Sequence, residues 1–211
     1  MIKSLWSTNV LHDHRAIEVT DEVLQDLIAI GNEYEKDHPE THVPAAMRNS
    51  AETSYNLLAD NRPSCQLYKL MLKQRMIELA KAEGFHDPEN IRFEAVTNMR
   101  RFGPMEYAKP HNHRSVDYVA VLFLQVGITD YSIDVHQKMA GNRLHLLDPM
   151  PMRNRWLNHN MLHPISPKPG SFIIHPASLF HTTELNLSDI DLIALVSNIK
   201  IVDNVRNYVE L

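Results

Sequence analysis

A single cysteine, Cys65, and only six glycines set the first limits on this chain of 211 residues. One thiol excludes an internal disulfide framework and a cysteine-based zinc site. Lysine and arginine total 21 against 26 aspartates and glutamates, so the formal charge of −5 offers no basic footprint for nucleic acid. No apolar run approaches the ~20 residues that a membrane span requires. The opening MIKSLWSTNVLHDHR also lacks the continuous apolar stretch of a signal peptide. A cytoplasmic protein without nucleic-acid or membrane partners is therefore expected. No repeat, low-complexity segment or Gly/Ser linker divides the chain, and the length suits one domain over 1–211. Histidine, by contrast, is plentiful at 13. With so little cysteine, this points any metal chemistry toward imidazole and carboxylate ligands.

The hydrophobic pattern divides the chain into a helical front, about 1–90, and a strand-rich core, about 91–201. A short apolar strand-like piece lies around Ile2–Val10. Thr20 and Asp21 precede a helical stretch with Val23, Leu24, Leu27, Ile28 and Ile30 on one face, which His38-Pro39 ends. Ser50–Ala59 reads as a shorter helix, and Ser64 as the N-cap of a longer one over Cys65–Glu83, closed by Gly84. Strands are expected at Ile91–Met99, Tyr118–Val126, Tyr131–Gln137, Arg143–Leu147, Phe172–His175 and Asp191–Ile201, with a hairpin turn at Met139–Asn142. Many short strands between Pro and Gly turns argue for a sandwich or barrel. The fold class is thus mostly β with N-terminal helices, the helices buttressing the β core.

Two constellations carry chemistry. In Pro110-His111-Asn112-His113, followed by Asp117, the alternation of an extended chain would turn His111, His113 and Asp117 to one side. Two imidazoles so spaced can chelate one metal, with a carboxylate as a further ligand or as an orienting group. The second is Pro169-Gly170, then His175-Pro176, then Ala177-Ser178-Leu179-Phe180-His181. A turn, a short buried strand and a proline-bounded turn present His181 as a third imidazole far along the chain. His136, His145, His159, His163 and His175 read as surface or core side chains. The long connection Asp148–His163, with Met150, Met152, Met161 and Trp156, reads either as an adaptable apolar loop or as a lid over the site, where Arg153 and Arg155 could meet an anionic substrate.

These motifs resemble those of the Fe(II)/2-oxoglutarate-dependent oxygenases, in particular a phage and marine-bacterial branch near the prolyl-hydroxylase-like group. The resemblance covers about 93–201: Asn98, Gly103 and the His111/His113 pair in order, Leu147-Asp148-Pro149, the distal His181, and Val196-Ser197-Asn198. It implies a double-stranded β-helix, a jelly-roll or cupin-like barrel, holding Fe(II) with 2-oxoglutarate as co-substrate. It makes His111 the first ligand and His181 the distal one. The family's third ligand is the acid of His-x-Asp, and here that position is His113; His113 is preferred as its replacement, with Asp117 the weaker candidate. The resemblance also implies an Arg or Lys roughly ten residues after the distal histidine that clamps the distal carboxylate of the co-substrate. Here Asp191 stands there, and no Arg or Lys occurs between His181 and Lys200. Candidates from elsewhere are Arg143 first, because it begins an expected strand, then Tyr107 and Arg100, with Arg101 and Lys109 behind.

Two other readings use the same residues. The motifs also resemble those of cupins, which implies a metal-dependent dioxygenase or isomerase that uses no 2-oxoglutarate, holding its metal with three histidines and one acid. A catalytically inactive barrel serving as a binding module accounts for the altered ligand and the missing clamp. The sequence leaves the substrate, small molecule or peptide, undefined. Such barrels often dimerise through apolar edges, but no residue pattern identifies an interface.

Overall fold

The structure, a computed structural model, describes residues 2–5, 8–16, 18–37, 55–129, 139–140, 143–147 and 162–202. The first half supplies a hairpin, β1 (Ile2–Leu5) and β2 (Thr8–Asp13), and the helices α1 (Asp21–Asp37) and α2 (Pro63–Ala82). Strands then dominate: β3 (Phe93–Phe102), β4 (Tyr118–Gln125), β5 (Ile128–Thr129), β6 (Met139–Ala140), β7 (Leu144–Leu147), β8 (Leu162–Ile165), β9 (Phe172–Pro176), β10 (Phe180–Thr183) and β11 (Leu192–Ile201). They form an antiparallel six-stranded sheet in the order β1-β2-β9-β4-β11-β3, a three-stranded sheet β10-β7-β8, and the pair β5-β6. The described chain is therefore mostly β and antiparallel, an arrangement compatible with a jelly roll.

The composition of β4 shows why. Its sequence, YVAVLFLQ, is apolar at consecutive positions, which suits a strand covered on both faces. Tyr118, Ala120, Leu122 and Leu124 join a cluster with Leu24, Leu27 and Ile30 of α1 and Tyr68, Met71 and Leu79 of α2. Val119, Val121 and Phe123 face the other way, into a cluster with Phe102, Ile173, Leu192 and Ala194 of the large sheet and Leu144, Leu146 and Ile165 of the small one. One apolar layer thus lies between the large sheet and the helices, and a second lies between the two sheets.

Helix α2 begins two residues earlier than a Ser64 cap would place it. Pro63 occupies the first helical position, where its missing N–H costs nothing, and Arg62 is the N-cap, with no side-chain hydrogen bond. The other end matches its expected stop. Gly84 takes φ +79°, with Gly84 N–H bonded to Lys81 O at 3.1 Å and Phe85 N–H to Ala80 O at 3.0 Å, a Schellman closure.

Other expectations shift. The apolar opening is two strands rather than one, and both belong to the large sheet, so the front is not only helical. Of the expected second helix, 50–54 lie outside the described residues, and among 55–59 Leu57–Ala59 form a single 3-10 turn capped by the Asn56 side chain. Met139–Ala140 pairs with Ile128–Thr129 instead of turning. Leu162 and His163 lie in β8 rather than in a loop. Tyr131–Gln137, which includes His136, and His38-Pro39, Gly141-Asn142 and 148–161, which includes the expected lid with Arg153, Arg155 and His159, fall outside the described residues.

A buried chain of three hydroxyls fastens α2 to the large sheet: Tyr68 Oη lies 2.7 Å from Ser197 Oγ, which lies 2.6 Å from Thr97 Oγ1. Burial pushes the Tyr68 phenol far above its usual range, so it stays protonated. Tyr68→Phe keeps the packing and removes one hydrogen bond, for a loss of about 1 kcal/mol. A thermal melt should register this as a fall of roughly 2–4 °C.

Candidate metal centre

The segment after β3 returns alongside β10 and carries the His-x-His pair. His111 and His181 form an isolated antiparallel bridge, His111 N–H donating to His181 O at 3.0 Å and His181 N–H to His111 O at 2.9 Å. His113 is held by its own N–H on Ala177 O at 2.9 Å. The rings of His111 and His181 stand 4.3 Å apart between centroids, and His113 lies 5.2 Å from each. One nitrogen from each ring falls within 4.8 Å of the others, the spacing of three ligands around one ion.

The hydrogen bonds identify which nitrogen. His111 Nδ1 lies 2.6 Å from Lys109 O, His181 Nδ1 3.2 Å from Leu179 O, and His113 Nδ1 2.6 Å from Asn198 Oδ1. All three partners are acceptors, so each Nδ1 carries the proton and each Nε2 keeps its lone pair. The Nε2 of His113 is buried with no hydrogen-bond partner. Imidazoles anchored through Nδ1 to an oxygen, with Nε2 free, are the form in which histidine binds metal. Burial also favours neutral rings: it lowers the pKa of His113, helped by His111 and Arg100, and it holds His181 well below the usual range, helped by His175, His111 and His113. The donor set therefore fits a transition metal such as Fe(II).

A fourth imidazole, His175 on β9, is fully buried with its ring centroid 4.7 Å from that of His181. Burial pushes its pKa down to about 4. Its Nδ1 donates to Pro176 O at 2.9 Å and its Nε2 has no partner, yet it stands outside the group of three. Its place before a proline at a strand end gave no hint of this proximity.

Asp117 does not join the histidines. Its carboxylate accepts from Ile201 N–H at 2.7 Å, capping the end of β11. Shared parity with His111 fails because residues 112–117 run through turns rather than an extended strand.

Arg143 is also placed elsewhere. It precedes β7, where Leu144 and Leu146 point into the layer between the sheets, so alternation turns Arg143 and His145 outward. There both bind Glu184, at 2.7 Å and 2.8 Å respectively. Burial acts to raise the Glu184 carboxyl, but these bonds outweigh it and hold it below its usual range. The alternation RLHLL was a signal for this outward placement. Tyr107 is exposed on the segment leading to His111, and Lys109 is exposed beside it. Arg101 is engaged with Asp191 at 2.7 Å and Asn32 at 2.6 Å. Arg100 is the exception. It pairs across β3 and β11 with Ala194, which belongs to the layer between the sheets, and its charge is among the influences on His113.

No protein-family model matches this sequence, and no curated protein searched matches it. Solved structures do match in fold. A prolyl-4-hydroxylase from Pseudomonas putida superposes with a TM-score of 0.58 at 12% identity, over 92% of this chain and 89% of that one. A viral collagen prolyl hydroxylase from Paramecium Bursaria Chlorella virus-1, solved as a 2-oxoglutarate complex, gives 0.54 at 14%, over 92% and 96%. The non-heme alpha ketoglutarate dependent carbocyclase of nogalamycin biosynthesis gives 0.61 at 11%, over 93% and 81%. This chain has the fold of the 2-oxoglutarate oxygenases. Within that fold, its His111, His113 and His181 are gathered as three imidazoles, and no carboxylate among the described residues joins them.

Proposed function

We propose that the chain is a mononuclear non-haem iron oxygenase that couples 2-oxoglutarate decarboxylation to hydroxylation of a second substrate, as a single domain whose two sheets wall a double-stranded β-helix. His111, His113 and His181 hold the metal. The observation that carries this reading is the common orientation of those rings, each with Nδ1 on an oxygen acceptor and Nε2 left for the ion. Fe(II), when bound there, supplies the redox chemistry by which O2 is reduced as 2-oxoglutarate loses CO2 and a substrate C–H bond is hydroxylated.

The residues of the chain position and shield. Val119, Val121, Phe123, Leu192 and Ala194 give the space beside the histidines an apolar floor that excludes water. Two polar side chains interrupt it on the same face of β3. Asn98 is buried, with an Oδ1 that has no hydrogen-bond partner, and Arg100 follows two residues later. Arg100 takes the distal carboxylate of 2-oxoglutarate. The family's usual clamp stands roughly ten residues after the distal histidine, where this chain has Asp191, just before β11 and bound to Arg101. Arg100 reaches the same interior from the strand hydrogen-bonded to it, opposite the small side chain of Ala194. A guanidinium binds a carboxylate through two parallel hydrogen bonds, each charge-assisted.

An anaerobic titration with Fe(II) and then 2-oxoglutarate tests the reading through the visible metal-to-ligand charge-transfer band of the chelate. Arg100→Leu should weaken 2-oxoglutarate about 10–100-fold, the equivalent of one charge-assisted contact, with Fe(II) affinity little changed. Equal 2-oxoglutarate affinity in the variant removes Arg100 from this role. The cupin-like alternative shares the three gathered imidazoles, although the acid it calls for does not join them among the described residues. Iron binding with no band on adding 2-oxoglutarate is its expected result, and failure to bind any transition metal is that of the inactive module.

A further inference from the structure

The three histidines are not anchored alike. His111 and His181 each donate Nδ1–H to the backbone carbonyl two residues earlier, those of Lys109 and Leu179. For His113 the equivalent carbonyl is that of His111, which already accepts the N–H of His181 across the bridge. His113 turns instead to a side chain 85 positions away in sequence, Asn198 Oδ1, at 2.6 Å. Asn198 is set in the middle of the large sheet, on β11, with Val119 of β4 on one side and Val96 of β3 on the other. Two hydrogen-bonded neighbours fix its backbone, so the acceptor it presents to His113 is held by the sheet rather than by the turn that carries His113.

We propose that Asn198 is the positioning residue that makes His113 a metal ligand, by holding the ring in the Nδ1–H tautomer with Nε2 turned to the ion. This rests on the metal-centre reading above. The chemistry of the third position requires such a device. A carboxylate at that position offers lone pairs from either oxygen and needs no tautomer to be selected. A neutral imidazole has one lone pair and one proton, and exchanging them turns a ligand into a donor that repels the cation. For His111 and His181 the local backbone makes the selection. For His113 no backbone group does so, and the Asn198 amide oxygen, an acceptor only, takes the task. An imidazole at 113 and an acceptor at 198 thus form one functional unit spanning two elements.

Co(II) is a suitable probe, because its visible spectrum reports the number and basicity of its ligands and its binding requires no turnover. Asn198→Leu removes the acceptor, and Asn198→Asp keeps an acceptor while making the imidazole more electron-rich. The leucine variant should bind Co(II) about 10–100-fold more weakly, the usual cost of losing an outer-sphere partner. The aspartate variant should restore affinity to within a few-fold and shift the Co(II) absorption bands. Wild-type affinity with an unchanged spectrum in folded Asn198→Leu overturns the proposal, as does weak binding that Asn198→Asp fails to rescue. Should the leucine variant not fold, the aspartate variant decides alone, and an unshifted spectrum in it overturns the proposal. Absence of Co(II) binding by the unaltered chain overturns the metal centre itself, and this proposal with it, whereas the outcomes above leave the centre standing.

Discussion

His181→Ala is expected to lose metal binding altogether in the working concentration range, and 2-oxoglutarate-dependent turnover with it. The His181 ring stands 4.3 Å from that of His111 and 5.2 Å from that of His113 between centroids, and its removal leaves two imidazoles that cannot complete a three-ligand face. The loss should exceed the roughly 10–100-fold that outer-sphere substitutions cost. Folding should survive. The bridge to His111 is made by backbone atoms that alanine retains, and among the described residues the side chain makes one hydrogen bond, to Leu179 O. Titration with Fe(II) or Co(II) beside a thermal melt separates the two effects. Wild-type metal affinity in a folded His181→Ala protein would falsify the assignment of this site. His175→Ala is the matching control. It too deletes a buried imidazole near the site, but one outside the group of three, and metal binding should persist.

The second large effect concerns stability and a residue with no part in ligation. Asn186 is fully buried and uses all four hydrogen-bonding positions of its amide. Its Nδ2 donates to Phe102 O at 3.0 Å and to Ile190 O at 2.9 Å, and its Oδ1 accepts from Ser188 N–H at 3.0 Å and from Ser188 Oγ–H at 2.6 Å. Its backbone N–H and carbonyl bind Glu106 O and Met105 N–H. One residue therefore joins three segments, its side chain linking the end of β3 to the loop leading to β11 and its backbone holding the segment leading to His111. Asn186→Ala strands several buried groups at once and should cost about 3 kcal/mol, since each unsatisfied group costs roughly 1–3 kcal/mol. A thermal melt should show a fall on the order of 6–12 °C. Asn186→Asp should be at least as damaging, because it turns a donor pair facing two carbonyls into an acceptor. A melt within 2 °C of wild type, at about 2–4 °C per kcal/mol, would sink this account.

The sequence was most legible where a pattern has one physical meaning. An unbroken apolar strand such as Tyr118–Gln125 has to be covered on both faces, and it is. The gathering of the His-x-His pair with the distant His181 was legible from the two motifs read together and from the family resemblance, the pair alone being a weak signal. Parity failed at Asp117, since it assumes an extended chain and residues 112–117 turn. At Arg143 parity points the other way from the site, because the leucines on either side of His145 face the core and leave the arginine facing out. The same reasoning favours Arg100, which alternates with Phe102 on the inner face of β3. The partnership of His113 with Asn198 had no local signature, because it depends on the register between strands brought together from distant parts of the chain. The role of Asn186 in fastening three segments had no local signature, because it depends on the loop geometry.

The reciprocal bridge between His111 and His181 has a consequence for how a metal would be acquired. The two histidines, distant in sequence, exchange both backbone hydrogen bonds, so the loop between them is closed when the chain folds rather than when an ion arrives. The ordering entropy of bringing the ligands together is met by the fold. Metal uptake would then resemble filling a rigid socket more than clasping a loose strap, and a chelator should empty the site without melting the protein, unlike a zinc finger, which unravels when its ion is withdrawn.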